Sequence, residues 1–585
     1  MCKPLRAFIL TFMKKNILFG KGVVTAIETL FCFLSFAVAA VAPPKPTIPN
    51  AIFDITAYGA IGDGTTDNTV AIQAAISAAS DAGGGIVVVP PASKPYQCGP
   101  ITLASNLNLQ IKSGAMLQCI AYSRYPLTGS AYVNFISAVN VHDIEISGTG
   151  TIDGQGADWW TAFNADDAMP HRPYLIKLNP CTTVYVHDVT LSNSPMFHLA
   201  IKALNVTIDG ITITAPASAP NTDGIDPSGS NYLIENCTIS TGDDNIAIKP
   251  GNAMCGNFTI TNCTFGTGHG VSVGGQTNYG LDSLTVSHCS FSGTENGIRL
   301  KANRTNGGLV QNLLYSDITM DKVKNPVLFT SYYEQVFSAG DSAQPVTSTT
   351  PVWKNIAIRN LVSTNSTNAA VTLQGLPEMP VQNLTFAHAV FTGSKNFTID
   401  HAHGINFFNT SFNGASAGLT TSPVDATISH LTITSQPKSQ TITIGSILNL
   451  SVVATMDFTP TFQWFHDNTA LVNNAAVSGV NTSSLSLSDI QAIDGGSYAV
   501  LMSDSAGGIF SDSAIIVVKN IEAVFQNVNG HALTNHIPNK NRFNKYIDPS
   551  GRAITSKDAL ENPRNCVYLD RDPSGKWVRH IGIRN

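Results

Sequence analysis

The chain has 585 residues, of which 12% are charged, with 47 glycines and a net charge of −6. That length exceeds one ordinary compact domain, although elongated repeat folds escape the limit. So few charges among so many small polar residues argue against helical bundles and disorder, and the small negative charge excludes a global field steering the chain to nucleic acid or anionic membrane. An anionic ligand must be held by local cations.

Residues 1–42 predict a removable export segment. Lys3, Arg6, Lys14, Lys15 and Lys21 precede an apolar run over residues 30–42 that ends in two small-x-small cleavage patterns, Ala37-Val38-Ala39 and Ala40-Val41-Ala42. The run is short for a membrane span. The expectation is a secreted protein, extracellular or periplasmic, with no membrane attachment after cleavage.

A strand, a Gly/Asp loop and an amphipathic helix over residues 68–79 are predicted next, with Val70, Ile72, Ala75 and Ile76 as the helix's apolar face. One helix ahead of many strands would cap the open end of a β stack. From 85 to 432, short β-branched strands alternate with Gly/Asn/Ser turns, with little sign of helix. NVTIDGITIT, NYLIENCTIS, NFTITNCTFG and SLTVSHCSFS recur about every 26 residues. That period predicts a right-handed parallel β-helix over residues 51–433, on the order of ten coils. Cys237, Cys263 and Cys289 share the period and read as a ladder of buried small side chains rather than a metal or redox site.

The period stops near 435. Over 435–519, Trp464 and Tyr498 take the places of the strand-C tryptophan and the E–F corner tyrosine of an immunoglobulin-like sandwich without the usual cysteine pair. The tail, 520–585, holds 10 of the 33 Lys and Arg residues and is left unassigned.

Four segments within the solenoid carry the chemistry: NTDG (221–224), TGDDN (241–245), TGHG (267–270) and GIRLK (297–301). Superposing Ile225, Ile246, Val271 and Ile298 puts Asp223, Asp244, His269 and Asn296 in one column. Asp226, Ala247, Ser272 and Arg299 then form a second, and Ser228, Lys249, Gly274 and Lys301 a third. Column neighbours on successive coils would lie about 4.8 Å apart. Carboxylates that close titrate together, so one stays protonated beside ionised ones. With Arg and Lys in reach, this is equipment for cleaving a glycosidic bond in an acidic polysaccharide. Each motif alone is commonplace in turns; their order and register carry the reading. Strand alternation would turn Asp243 away from Asp244, so a bend is expected there.

In this order and spacing the four motifs resemble the polygalacturonases of glycoside hydrolase family 28. GTIDGQGADWW (150–160), RPYLI (172–176), NSPMFH (193–198) and KNPVLFTSYY (324–333) add to the likeness, which covers residues 53–432. Asn245 stands where fungal and plant members carry Cys, and Leu300 replaces an Ile between Arg299 and Lys301. The resemblance implies hydrolysis of α-1,4-galacturonosyl bonds of pectate with inversion and no metal or other cofactor. By the same resemblance Asp243 is the general acid, Asp223 and Asp244 hold and deprotonate water, and His269 tunes the acid. Arg299 and Lys301 bind the galacturonate carboxylate, and Tyr333, Asn221 and His198 are further substrate contacts. A monomer acting on polygalacturonan in endo fashion is expected, although loop lengths at the cleft ends decide endo against exo. Two rivals compete: a calcium-dependent pectate lyase using the Asp cluster as a metal site, and a non-catalytic carbohydrate-binding protein.

Overall fold

The computed structural model describes residues 42–519 apart from 252, 339, 393–396, 413–414, 417–423, 458 and 504–507, together with four strands of the tail. The expected export segment, save Ala42, lies outside the described residues. Among those residues no helix is long and apolar enough to cross a membrane.

Helix α1 (Thr69–Asp81) packs Ile72, Ala75, Ile76 and Ala79 inward, an i, i+3, i+4, i+7 stripe. Val70, expected on that face, is 81% exposed. It lies two positions before Ile72 and so about 200° round the helix. A second helix, α2 (Ala157–Ala165), interrupts the strands where none is expected. It is too short for periodicity to separate helix from strand. It is anchored by Trp159, fully buried against Tyr122, Tyr125 and Tyr132.

The body is a parallel β-helix. Each coil contributes to three ladders that pair in parallel with the coils before and after it. One ladder runs through Ile101, Ile136, Ile176, Leu199, Ile225, Ile246, Val271, Ile298, Val327 and Val371. A second runs through Val206, Tyr232, Phe258, Leu284, Leu313, Ile356, Leu384 and Ile405. A third runs through Thr190, Thr212, Thr238, Thr264, Ser290 and Thr319. Period-2 alternation sends one side chain of each pair into the bore and the next outward. The first two ladders are thus the apolar core itself.

The residue ahead of the second ladder takes a left-handed conformation in every coil: Asn205, Asn231, Asn257, Ser283, Asn312, Asn355, Asn383 and Gly404 all have φ between 54° and 72°. Asn tolerates that region better than other side-chain-bearing residues. Its amide also stacks from coil to coil, with Asn231 donating to Asn205 at 2.7 Å and Asn383 to Asn355 at 3.2 Å. This is the physical reason the repeats read as strand–Asn–strand. Cys237, Cys263 and Cys289 are buried free thiols, one per coil.

The sandwich pairs Thr461–His466 antiparallel with Gly496–Ser503, and Leu448–Ser451 with Ser484–Leu487. Trp464 is fully buried, and its Nε1 donates to the Thr482 carbonyl at 2.9 Å. The Tyr498 hydroxyl donates to the Asp494 carbonyl at 2.8 Å, the corner contact that the sequence layout predicts. The seam near 435 is shared rather than clean. Strand Val424–Ser435 pairs in parallel with the coil before it and antiparallel with Val453–Met456 of the sandwich. Phe408 and Leu431 join the sandwich core. The sandwich thereby covers strand edges that the last coil would otherwise expose. The tail is a separate unit, in which Lys545–Ile547, Ala553–Ile554, Cys566–Arg571 and Trp577–Gly582 form an antiparallel sheet.

Candidate active site

The first ladder pairs Ile225 with Ile246, Ile246 with Val271, and Val271 with Ile298. The three columns laid out from sequence are therefore in register on consecutive coils. Asp223, the Asp243–Asp244 pair and His269 precede these strands, where the chain turns into the sheet. Residues 241–245 form a bend rather than a strand, so both aspartates reach the outer face. Asn245 fixes that bend. Its amide donates to the carbonyls of Ile239 and Thr267, and its oxygen accepts from Gly270 N–H at 2.8 Å. Gly270, at φ +73°, leaves no room for a side chain, because a Cβ would lie 2.1 Å from the Asn296 carbonyl.

Asp243 is the most open of the central acids, with its side chain 22% exposed. Its Oδ1 accepts from Asp244 N–H at 2.9 Å and faces His269 Nδ1 at 2.9 Å. Asn221 Nδ2 reaches Oδ2 at 3.5 Å, and Arg172 holds Asn221 Oδ1 at 2.6 Å. Glu295 Oε2 lies 3.5 Å from the other ring nitrogen of His269. Burial raises the pKa of Asp243, but the His269 hydrogen bond and charge outweigh it and leave the carboxyl below its ordinary range.

Asp244 is 1% exposed and carries the densest set of donors. Lys301 Nζ donates to Oδ2 at 2.8 Å, while Ser272 Oγ at 2.9 Å and Arg299 Nη2 donate to Oδ1. Arg299 Nε also donates to Ser272 Oγ at 2.8 Å. Burial opposes ionisation, yet Arg299 and then Lys301 hold Asp244 well below the usual carboxylate range. Lys301 Nζ also lies 4.8 Å above the Tyr333 ring. Tyr332 is turned away to hydrogen-bond Asp341 at 3.1 Å, so Tyr333 is the tyrosine at the site.

Asp226 and Lys249 stand in the columns with no role legible in the sequence. In the structure they complete the site. Lys249 Nζ bridges Asp223 Oδ2 at 3.3 Å and Asp226 Oδ2 at 3.4 Å. Both acids are buried. Burial, and then the charge of Asp226, raises Asp223 well above the usual range, and burial raises Asp226 to about 6. Two carboxyls thus share one ammonium in a dry site and bind a proton in common. The signal was present in the sequence as Lys249 lying two columns from Asp223, but nothing there tells how a lysine divides itself between two acids.

His198, expected to contact substrate, does not face the groove. It is fully buried; its Nδ1 donates to the Asp223 carbonyl at 3.1 Å and its Nε2 accepts from Ser194 N–H at 3.4 Å. Burial lowers its pKa to about 4, so it is a neutral brace for the Asp223 backbone. It stands beside Phe197 just ahead of strand Leu199–Asp209, in the inward position.

Among the described residues the one group of three with metal-ligand spacing is Asp243, Asp244 and His269, whose donor atoms lie within 4.8 Å of one another. Both oxygens of Asp244 already accept from cationic side chains, and this set fits a divalent ion poorly.

The profile described as Glycosyl hydrolases family 28 matches residues 86–412, and one described as Immunoglobulin domain matches 432–503. A probable polygalacturonase of Arabidopsis thaliana is 32% identical over 303 residues, covering 51% of this chain and 63% of that relative. An endo-polygalacturonase of Pectobacterium parmentieri is 31% identical over 336 residues, covering 53% of this chain and 80% of that relative. Among solved structures, a polygalacturonase from Erwinia carotovora ssp. carotovora aligns with a TM-score of 0.52 and 26% identity over 67% of this chain and 99% of its own. An exopolygalacturonase from Thermotoga maritima aligns with a TM-score of 0.57 at 22% identity over 67% and 97%, a likeness of fold.

Proposed function

The chain belongs to glycosyl hydrolase family 28, and from that membership we propose that it hydrolyses α-1,4-galacturonosyl bonds of polygalacturonan, as an exported enzyme, by acid–base catalysis with inversion. The observation that carries the reading is the division of three acids on adjoining coils into three electrostatic environments. Asp243 is open and paired to an imidazole, Asp244 is locked as a carboxylate by two cations, and Asp223 is buried beside a second acid.

These environments assign the roles. With a carboxylate at each ring nitrogen, the imidazolium form of His269 donates from both, and its Nδ1 proton lies one 2.9 Å hydrogen bond from Asp243 Oδ1. Asp243 passes that proton to the glycosidic oxygen as the bond breaks, so the pair acts as the acid even though Asp243 is ionised at rest. With the proton that the pair shares resting on Asp226, Asp223 is a carboxylate that burial makes the more basic, and it accepts the proton of the attacking water. Asp244, held at low basicity, orients that water. Arg299 keeps Nη1 uncommitted among the described residues, and this atom with Lys301 and Tyr333 meets the uronate carboxylate. Guanidinium and ammonium together favour uronates over neutral sugars.

The test is release of new reducing ends from polygalacturonate, with early products separated by chromatography. A ladder of oligomers is expected, the endo mode named for the Pectobacterium relative; a single mono- or disaccharide would mean exo attack. Asp243→Asn should lower turnover by several orders of magnitude with the fold intact. Wild-type activity that disappears with chelator, or unsaturated products absorbing in the ultraviolet, would replace the hydrolase with a lyase.

A further inference from the structure

The outer face of the first ladder continues N-terminally past the acids, and its makeup changes from carboxylates to aromatics and lysines. Tyr174 and Phe197 occupy the column of Asp223 on the two preceding coils, since Ile176 pairs with Leu199 and Leu199 with Ile225. Their rings stack at 4.9 Å and 12°. Lysine ammoniums close both ends of this stack, Lys177 at 4.7 Å from the Tyr174 ring and Lys249 at 5.2 Å from the Phe197 ring.

The two lysines differ in what else they hold. Lys249, like Arg299 and Lys301, is committed to carboxylates of the site. Lys177 has no carboxylate within ion-pair distance among the described residues. It is half-buried, and burial lowers its pKa. A cation held partly out of water without an acid is costly unless an anion arrives, and the aromatic stack keeps it extended at the groove rather than free to wander.

Resting on the hydrolase reading above, we infer that Lys177, positioned by Tyr174 and Phe197, is a distal subsite that binds the carboxylate of a galacturonate unit removed from the scissile bond. Its coil lies three steps from that of Asp244, about 14 Å along the axis at the usual strand spacing. A polymer lying along the solenoid reaches it, whereas a short oligomer centred on the acids does not. The subsite recognises charge: it requires a free uronate and gains nothing from a unit whose carboxylate is methyl-esterified.

The experiment compares wild type, Lys177→Met and Tyr174→Ala on a galacturonate hexamer, a trimer, and a hexamer esterified at the units away from the cleaved bond. For Lys177→Met, KM on the free hexamer is expected to rise about tenfold, the worth of one charge-assisted contact. Its kcat should stay within about twofold, the cleaved bond should shift along the hexamer, and KM on the trimer and the esterified hexamer should not change. Tyr174→Ala should move KM the same way by a smaller factor. An unchanged hexamer KM and cleavage pattern in Lys177→Met would overturn the inference. So would equal losses on all three substrates with a lowered Tm, which would make Lys177 merely structural. A wild-type protein that releases no reducing ends from any of them would instead sink the hydrolase reading itself.

Discussion

Asp226→Asn is expected to stabilise the protein above pH 6 and to bring no such gain at pH 4. Asp226 and Asp223 face one ammonium, Lys249, from 3.4 and 3.3 Å. Burial lifts Asp226 from an ordinary value near 3.8 to about 6, and burial with the Asp226 charge lifts Asp223 as well. The folded state therefore binds the proton more tightly than the unfolded chain. Its contribution is fully present below about pH 4 and is lost as pH rises through 6. A displacement of about two pH units at 1.36 kcal/mol each is ~3 kcal/mol. Asparagine carries no such penalty, and its presence also relieves Asp223, while Lys249 keeps Asp223 as partner. Asp244 and Tyr174, which also face the pair, do not titrate over this range. Asp244 is held low by Arg299 and Lys301, and burial pushes Tyr174 up to about 12. With about 2.1 cal/mol/K of unfolding entropy per residue, a solenoid of ~380 residues loses ~0.8 kcal/mol of stability per degree, so the effect appears as roughly 4 °C. Solenoid and sandwich need not melt together; the readout is the variant-minus-wild-type shift of the solenoid transition from pH 4 to pH 8. A difference constant to within about a degree over that range, or one that falls with rising pH, would refute the reasoning.

Asp244→Asn leaves the buried Arg299 and Lys301 uncompensated and should destabilise the solenoid by about 3–5 kcal/mol, measured by urea denaturation; a loss under about 1 kcal/mol would mean the cations find other partners. His198→Ala removes a brace from the Asp223 carbonyl and should lower both stability, by about 1–3 kcal/mol, and kcat, with KM unchanged; a raised KM alone would restore His198 as a substrate contact. Tyr498→Phe deletes the hydroxyl bound to the Asp494 carbonyl and should lower the sandwich transition by about 1 kcal/mol, with hydrolysis unaffected.

Much of this protein was legible in its sequence because a parallel β-helix quantises register. Once Ile225, Ile246, Val271 and Ile298 are laid over one another, every outward position falls into a column, and the structure pairs those same residues. Trp464 and Tyr498 announced the sandwich in the same way, through a fixed spacing with a fixed packing role. The recurrent Asn turns belong here too, since a left-handed φ selects the residue type directly.

Other features were decided only by the tertiary structure. Register sets where a Cα stands, but the ends of long side chains are placed by coils far away in sequence. Lys301 reaches Asp244 across 57 residues and Lys249 divides itself between Asp223 and Asp226. How protons are shared depends on burial, which no column reveals. His198 turned inward, Val70 faced solvent, and strand Val424–Ser435 served solenoid and sandwich at once. In each case the local pattern permitted both outcomes, and the packing of distant chain chose one, because burial free energy is settled by what covers a surface and not by the residue that presents it.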